Sequence, residues 1–343
     1  MQYSFASDNR AGACPEVLAA FVEEAGRPGG GYGDDDTTAA LADAFDELFE
    51  RPVSAYPVST GTAANSLALA CCCPPWGAVL CSELAHIYAD ESGGPEFYGH
   101  GLRVAAVGDD GHGRVDPAAL TVLLEGGESH GVHSTVPSVL SLTEATEAGT
   151  TYGPDRVAEL AAIAHRGGLA VHLDGARFAN AVASSGASPA DLTWRAGVDV
   201  AVWGGTKNGA MAAEAVVFFD EELAETFERR RKRGGHLHSK LRFTSAQLLA
   251  LLRDDLWLSN ARHANEATAT IARYAMAAGI EVAHPVDANM VFLDARGVDV
   301  GALRSSGWEL YVEHHHGRDL VRVVTSWATT DDEVDGLVSL LGR

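Results

Sequence analysis

The sequence predicts an α/β protein with two parts. Residues 1–250 would form a large domain around a mostly parallel seven-stranded sheet, and residues 251–343 a linking helix and a small α+β domain. Three observations lead to this class. Strand-like and helix-like segments alternate along residues 53–219, and the strand-like runs are almost continuously apolar, as in sheets covered by helices on both faces. Beyond residue 280 the pattern changes to short strands and helices.

The seven predicted strands are short apolar runs, and the helices between them are amphipathic. The strands are residues 53–58, 78–81, 102–107, 136–142, the run ending at Asp174, the run beginning at Val200, and 215–219, the last expected to be antiparallel. Helices are predicted over residues 15–25, 36–50, 66–72, 116–124 and 154–165, with Asp36 as the N-cap of the second.

The C-terminal part follows a long helical pattern over residues 248–278. Strands are predicted over residues 280–283, 289–293 and 320–324, and helices over 300–305 and 331–341. The run Glu313-His314-His315-His316 is interpreted as a polar loop at a cleft mouth, because three consecutive imidazoles cannot all face one metal ion. No metal site is therefore predicted.

Composition narrows the functional class. The chain has 47 acidic and 25 basic residues among 343, a net charge of -22, which disfavours nucleic acid or an anionic membrane as a partner. No apolar run approaches the roughly twenty residues of a membrane span, and the first residues lack a signal-peptide pattern, so we expect a cytoplasmic protein. Five cysteines, three of them consecutive, are expected to be small buried residues in a reducing compartment.

Two neighbouring strands are predicted to deliver charged side chains to one edge of the sheet. The first ends in Asp174-Gly175-Ala176-Arg177, and the second leads through Gly204-Gly205-Thr206 to Lys207. An amine at the end of a buried strand is costly unless it is neutral or covalently used. A lysine for a Schiff base, an aspartate for the pyridine nitrogen and an arginine for a substrate carboxylate are what a pyridoxal phosphate (PLP) enzyme needs.

Three further segments are candidates for the same site. The segment Ser59-Thr60-Gly61-Thr62 joins a strand to a helix and could cradle a phosphate, although such turns also occur with nothing bound. His86 follows the end of another strand, where it could lie over a flat cofactor ring or be an ordinary surface residue. The glycine-rich loop around Tyr32 could edge a cleft or be an acidic linker. The basic run Arg229–Arg233 could be a solvated helix face, an inter-subunit contact or a phosphate contact from a neighbouring subunit.

The order of these segments along the chain resembles that of the low-specificity L-threonine aldolases, which are fold-type-I PLP enzymes of the beta-eliminating lyase group. The resemblance is carried by Ser7-Asp8, Tyr32-Gly33-Asp34-Asp35, Thr60-Gly61-Thr62-Ala63-Ala64-Asn65, His86, Asp174-Gly175-Ala176-Arg177, Lys207 and Val321-Arg322-Val323-Val324-Thr325. It implies a PLP-dependent cleavage of a β-hydroxy-α-amino acid, such as threonine, allo-threonine or phenylserine, to glycine and an aldehyde.

The resemblance also implies a role for each matching residue. Lys207 would bind PLP as a Schiff base, Asp174 would pair with the pyridine nitrogen, and His86 would stack on the ring and help remove the β-hydroxyl proton. The remaining expectations are phosphate binding by Gly61, Thr62 and Thr206, substrate binding by Ser7, Tyr32, Arg177 and Arg322, with Arg177 also at the cofactor, an acid near the ring at Glu91, and a loop histidine at His133 that orders a water or the hydroxyl. A homotetramer or homodimer with shared active sites is implied as well.

Two departures from the family pattern bear on the substrate. The usual Ser-Lys-Gly-Leu-Gly is here Thr206-Lys207-Asn208-Gly209-Ala210, which is similar to a sub-branch that includes phenylserine aldolases, and the usual Glu-Asn-Thr is Glu144-Ala145-Thr146. A β-eliminating lyase or an aminotransferase remains the alternative with the same cofactor. A phosphate-ligand binding protein without catalysis is the alternative from another class.

Overall fold

The computed structural model describes residues 3–126, 131–315 and 317–341. The strands are β1 Tyr3–Ser4, β2 Ser54–Val58, β3 Gly77–Ser82, β4 Arg103–Val107, β5 Val136–Thr143, β6 Ala170–Asp174, β7 Val200–Gly204, β8 Glu214–Phe218, β9 Met290–Asp294, β10 Trp308–Glu309, β11 Tyr311–His315 and β12 Arg318–Val324. The helices are α1 Pro15–Ala25, α2 Asp36–Leu48, α3 Gly61–Cys72, α4 His86–Ala89, α5 Gly94–Tyr98, α6 Pro117–Glu125, α7 Gly153–Arg166, α8 Phe178–Ser185, α9 Pro189–Leu192, α10 Glu221–Ala224, α11 Phe227–Arg233, α12 Arg242–Leu252, α13 Leu256–Ala277, α14 Val300–Ser305 and α15 Asp331–Leu341.

The large sheet has the order β2-β8-β7-β6-β5-β3-β4. Only β8 runs against its neighbours, and the other pairs are parallel. The predicted seven-stranded, mostly parallel sheet with one antiparallel return is therefore confirmed. Because the other six strands run the same way, the turns that follow β2, β3, β6 and β7 meet at one edge of the sheet.

Helices cover the sheet because its strands are apolar on both faces. Strands β3, β7 and β8 are buried throughout. The largest core cluster packs Phe45, Phe49, Phe178, Trp203 and Trp257 between the sheet and its helices. Local signals place the helix starts, and Pro15 opens α1 as predicted. The N-cap prediction for α2 was wrong by one residue, because Asp35 rather than Asp36 accepts from the Thr38 backbone N–H at 2.7 Å.

Three details of the C-terminal part differ from the predictions. The pattern over residues 248–278 is two helices, because Asp254 and Asp255 adopt left-handed backbone angles (φ 53° and 55°) between α12 and α13. The predicted strand 280–283 is reduced to an isolated bridge from Val282 to Leu293. His314 and His315 lie in β11 rather than in a loop, and the prediction for His316 falls outside the described residues.

The small sheet has the order β11-β12-β9 and is antiparallel. The N-terminal segment packs beside this sheet, because β1 pairs with β10 in a separate two-stranded sheet and Phe5 is buried in the same core as Trp308. The first residues therefore connect the two predicted parts, and the division at residue 250 stays a prediction.

Two further observations concern the described residues only. None of their helices is long and apolar enough to cross a membrane. All five cysteines are free thiols, and Cys14, Cys73 and Cys81 are buried. For Cys71 and Cys72 the burial is partial rather than complete.

Candidate active site

The turns at the carboxyl edge of the large sheet enclose a cavity of about 290 Å³. Strand β6 ends at Asp174, and its neighbour β7 leads directly into the turn that carries Lys207. The predicted meeting of this aspartate and this lysine is confirmed, since both line the cavity. The lining residues are Asn9, Ser59, Thr60, Gly61, Thr62, Asn65, His86, Glu91, Asp174, Ala176, Thr206, Lys207, Met211, Ala212 and Glu214.

One wall of the cavity is a hydrogen-bonded chain that we call the Asp174 network, made of Asn65, His86, Glu91 and Asp174. The Asn65 side-chain amide donates to Asp174 Oδ2 and to Glu91 Oε1, both at 2.9 Å. The Ala176 backbone N–H donates to Asp174 Oδ1 at 3.1 Å. Asp174 and Asn65 are each only 2% exposed. The network fixes the Asp174 carboxylate at the bottom of the cavity.

His86 forms the outer end of the Asp174 network. Its Nδ1 lies 2.9 Å from Glu91 Oε1, and the Glu91 side chain is completely buried. This hydrogen bond raises the pKa of His86, although partial burial acts against it. Because Nδ1 faces Glu91, Nε2 is the nitrogen left to exchange a proton with a molecule in the cavity.

The N-terminus of α3 supplies backbone donors to the cavity. This helix begins at Gly61, five residues earlier than the predicted start at Ser66. The Thr60 hydroxyl caps it by accepting from the Ala63 N–H at 3.2 Å, while the first helical N–H groups have no acceptor within the helix. A side chain at Gly61 would meet no atom within 4 Å, so the space above this turn is open. An anion such as a phosphate fits there.

The turn that carries Lys207 is held from several sides. Gly209 adopts a left-handed backbone conformation (φ 111°), and the Asn208 side chain donates to the Trp257 carbonyl at 2.8 Å. The buried Glu214 carboxyl group accepts from the Gly205 N–H at 2.8 Å. Burial raises the pKa of Glu214 to about 7.

A second group of charges lies beside the cavity, and we call it the arginine cluster: Asp8, Glu147, Arg177 and Arg322. Arg177 donates from Nε and Nη2 to Asp8 at 2.7 and 3.2 Å, and its Nη1 lies 3.5 Å from Glu147. Burial alone would raise the pKa of Asp8, but Arg177 and Lys207 lower it to about 2. Arg177 Nη1 is buried and has no hydrogen-bond partner. Nη1 is thus the nitrogen of Arg177 that contacts a carboxylate, that of Glu147, without a hydrogen bond.

Glu147 connects the arginine cluster to the rest of the site. The charges of Arg177, Lys207, His86 and Arg322 lower the pKa of Glu147 against the effect of burial. Arg322 binds Glu313 at 2.7 Å and the Ala6 carbonyl at 2.9 Å. Carboxylates of the chain thus already occupy both arginines.

Five predicted site residues do not line the cavity, namely Ser7, Tyr32, His133, Arg177 and Arg322. Arg322 affects the cavity only through its positive charge. The Ser7 hydroxyl accepts a hydrogen bond from the Asn9 N–H at 3.2 Å, as the cap of a short helical turn. Tyr32 is 53% exposed with Lys232 over its ring. His133 is exposed on a helical turn before the first residue of β5, at the amino edge of the sheet. The structure therefore does not bring His133 to the cavity of its own chain, because the whole of β5 separates the two.

Sequence reasoning missed four residues of the site. These are Asp8, Glu147 and Glu214, whose roles depend on which partner the fold brings to them, and Asn65, which closes the Asp174 network. Asn65 lies inside a recognised motif, five residues after Thr60, so its position could have been noticed. No sequence signal marks Glu214 as a partner of the lysine turn.

The residues present fit PLP. Lys207 is the amine, Asp174 is a fixed carboxylate for a ring nitrogen, and the α3 N-terminus is a phosphate cradle. Three buried polar atoms of the site have no hydrogen-bond partner, as expected where a polar ligand binds: Asn65 Oδ1, Glu91 Oε2 and Arg177 Nη1. Among the described residues, no group of three or more His, Cys, Asp or Glu side chains could hold a metal ion.

Comparison with known proteins agrees with this geometry. The sequence pattern of the beta-eliminating lyase family matches residues 4–297. The low specificity L-threonine aldolase of Pseudomonas aeruginosa is 42% identical over 96% of this chain and 94% of its own length. The threonine aldolase structure from Leishmania major superposes with a TM-score of 0.90 at 29% identity, covering 99% of both chains. The serine palmitoyltransferase of Sphingomonas wittichii, at 13% identity and a TM-score of 0.74 over 99% of this chain and 86% of that one, shares the fold alone.

Fold and site together define a PLP-dependent lyase of fold type I. Within that class, the chain belongs to the beta-eliminating lyase family and, inside it, to the low specificity L-threonine aldolases.

Proposed function

We propose that this protein cleaves β-hydroxy-α-amino acids to glycine and an aldehyde, with PLP bound at Lys207. The observation that carries the proposal is the meeting of Lys207, Asp174 and His86 in one cavity, with a partly unpaired arginine beside it. Bound PLP supplies an aldehyde carbon for an amine and a ring that withdraws electrons from the substrate Cα. Asp174, buried and hydrogen-bonded on both oxygens, would hold a proton on the ring nitrogen of the bound cofactor.

The chain's own residues divide the remaining work. Arg177 Nη1 receives the amino-acid carboxylate, with Arg322 adding positive charge. His86 Nε2 takes the proton of the β-hydroxyl group, so that the bond between Cα and Cβ can break. Its Nδ1 proton meanwhile donates to Glu91, which stabilises the imidazolium that forms. A positioned base of this kind typically contributes about 10² to 10⁴-fold to the rate.

Three finer statements belong to the same proposal. The Thr206-Lys207-Asn208 sequence supports acceptance of aromatic substrates such as phenylserine beside threonine and allo-threonine. The basic run Arg229–Arg233, exposed at three of its positions on α11, supports a homodimer or homotetramer with shared active sites, to which Tyr32 and His133 would contribute. Five free thiols support a cytoplasmic location.

Product analysis tests the proposal. The PLP-loaded enzyme is incubated separately with threonine, allo-threonine and phenylserine, and the products are separated. Glycine with acetaldehyde or benzaldehyde is the expected result. A keto acid would instead indicate the β-eliminating or aminotransferase alternative, and no product from any of the three would reject the aldolase.

A further inference from the structure

Glu214 occupies a position between the two turns that build the cofactor cavity. It is the first residue of β8, where it pairs with Val58 on one side and Gly204 on the other. The turn after Val58 leads to the phosphate cradle, and the turn after Gly204 leads to Lys207. Glu214 is only 6% exposed and lines the cavity together with Lys207.

The Glu214 carboxyl group binds the lysine turn at adjacent residues. The Gly205 N–H donates to Oε2 at 2.8 Å, and interactions with the Thr206 hydroxyl and backbone N–H lower the pKa of the carboxyl group against the effect of burial. Ala213, the residue before Glu214, holds the same turn, because its N–H donates to the Thr206 hydroxyl oxygen at 3.2 Å and its carbonyl accepts from the Gly205 N–H at 3.2 Å. A side chain at Gly205 would lie 2.5 Å from the Ala213 carbonyl, so the turn has no room to shift toward β8.

This burial requires an explanation, because an ionisable carboxyl group is costly inside a protein. Within the described residues, no ion pair within 4 Å involves Glu214, and the more distant charge of Lys207 lowers its pKa without outweighing the effect of burial. Its hydrogen bonds all come from the turn that precedes Lys207. A purely structural role would be served as well by an apolar residue, whereas holding several N–H and O–H donors requires an acceptor.

We propose that Glu214 is a positioning residue for Lys207: its carboxyl group holds the Gly205–Thr206 turn and thereby fixes where the lysine amine enters the cavity. The inference rests on the proposed use of Lys207 as the PLP-binding amine. It assigns no chemistry to Glu214 itself. Without this acceptor, only the Ala213 carbonyl at 3.2 Å would hold the Gly205 N–H, and the amine would sample several positions.

The experiment compares PLP with pyridoxal, which lacks the phosphate. Apo protein is titrated with each aldehyde, and both affinity and the rate of Schiff-base formation are measured for wild type, Glu214→Gln and Glu214→Ala. Glutamine retains an acceptor for Gly205, so its affinities should stay within about threefold of wild type. Alanine should weaken both aldehydes by about tenfold or more, and by the same factor. If Glu214→Ala does not fold, Glu214→Asp replaces it, since the shorter side chain cannot reach Gly205.

The control variant is Glu24→Gln. Glu24 is similarly buried, at 4% exposure, and pairs with Arg242 at 2.8 Å away from the cavity. It should leave both affinities unchanged. The proposal is overturned if Glu214→Ala matches wild type, or if only PLP binding weakens, which would make Glu214 a phosphate contact. Failure of wild type to form a Schiff base with either aldehyde would instead reject the proposed function.

Discussion

The Asp174 network and the arginine cluster lie next to each other and are built differently. The Asp174 network comes entirely from elements that meet at the carboxyl edge of the large sheet, and its three hydrogen bonds between side chains are all 2.9 Å long. The arginine cluster combines the N-terminal segment, the loop after β5, the turn after β6 and β12 of the small sheet. One side of the cavity therefore depends on a single sheet, and the other on how several parts of the chain come together.

This difference indicates how the Asp174 network and the arginine cluster each bind a ligand. The carboxylate oxygens of Asp174 are already oriented, so a cofactor ring can bind without rearranging them, which is the condition for effective electrostatic stabilisation. The arginines are instead held by Asp8, Glu147 and Glu313, so a substrate carboxylate must share or replace these partners. Substrate binding should thus be the more easily perturbed step.

The largest expected effect comes from Lys207, which both sides of the cavity need. Lys207→Ala should abolish the yellow colour of bound PLP and lower turnover by at least about 10³-fold, because no other lysine among the described residues lines the cavity. Absorbance and steady-state kinetics measure the two losses. Lys240, an exposed lysine outside the cavity lining, serves as the control. A fully active variant would end the account.

The next largest effect should distinguish the arginine cluster, which binds the substrate, from the Asp174 network, which binds the cofactor. Arg177→Ala should raise KM for the amino acid roughly 10- to 100-fold while PLP binding persists, because a charge-assisted hydrogen bond to the substrate is lost. Removing Arg177 also leaves Asp8 buried without its partner, so the variant should unfold at lower temperature. Arg195→Ala, which breaks an exposed ion pair with Glu50, is the matched control and should change neither quantity. Loss of PLP with KM unchanged would show that the division between the two sides is wrong.

Sequence patterns were enough to predict the site residues that lie at or beyond the ends of strands. Asp174, Lys207 and His86 follow apolar runs, and parallel strands bring such ends together whatever the details of packing. Partners across the fold could not be found this way. Asp8 reaches Arg177 over 169 residues of chain, and nothing in either local sequence marks the pair.

The errors in secondary structure have similar physical causes. Strand β11 was missed because it is largely exposed, so its residues carry no apolar alternation. The break between α12 and α13 is made by two aspartates in left-handed conformation, a state that the sequence favours only weakly. His133 matched a family position by spacing alone, and spacing does not report which edge of the sheet a loop occupies.

A smaller effect should appear on the cofactor side when Asn65 is changed. Asn65→Ala removes one donor from Asp174 and one from Glu91, so PLP affinity should fall by about tenfold. KM for the amino acid should stay near the wild-type value, the reverse of the Arg177 result. Titration of apo protein with PLP measures the PLP affinity, and kinetics at saturating PLP measure KM. If KM rises and PLP affinity does not change, the network belongs to the substrate instead.

The smallest expected effect is a shift in pH dependence. The hydrogen bond that His86 donates to Glu91 raises the pKa of His86. The neutral imidazole is the form that accepts a proton, so kcat/KM should rise as pH rises through that pKa. Glu91→Gln weakens this interaction and should move the rising limb of the profile to lower pH. A limb that stays in place would mean that another group accepts the proton.

The most direct test of the central claim is chemical. The PLP-loaded protein is reduced with borohydride and digested, and the peptides are mapped by mass spectrometry. The account predicts a pyridoxyl group on Lys207, with Lys232 and Lys240 unmodified. A pyridoxyl group on either of those two residues, or on none of the three, would contradict it.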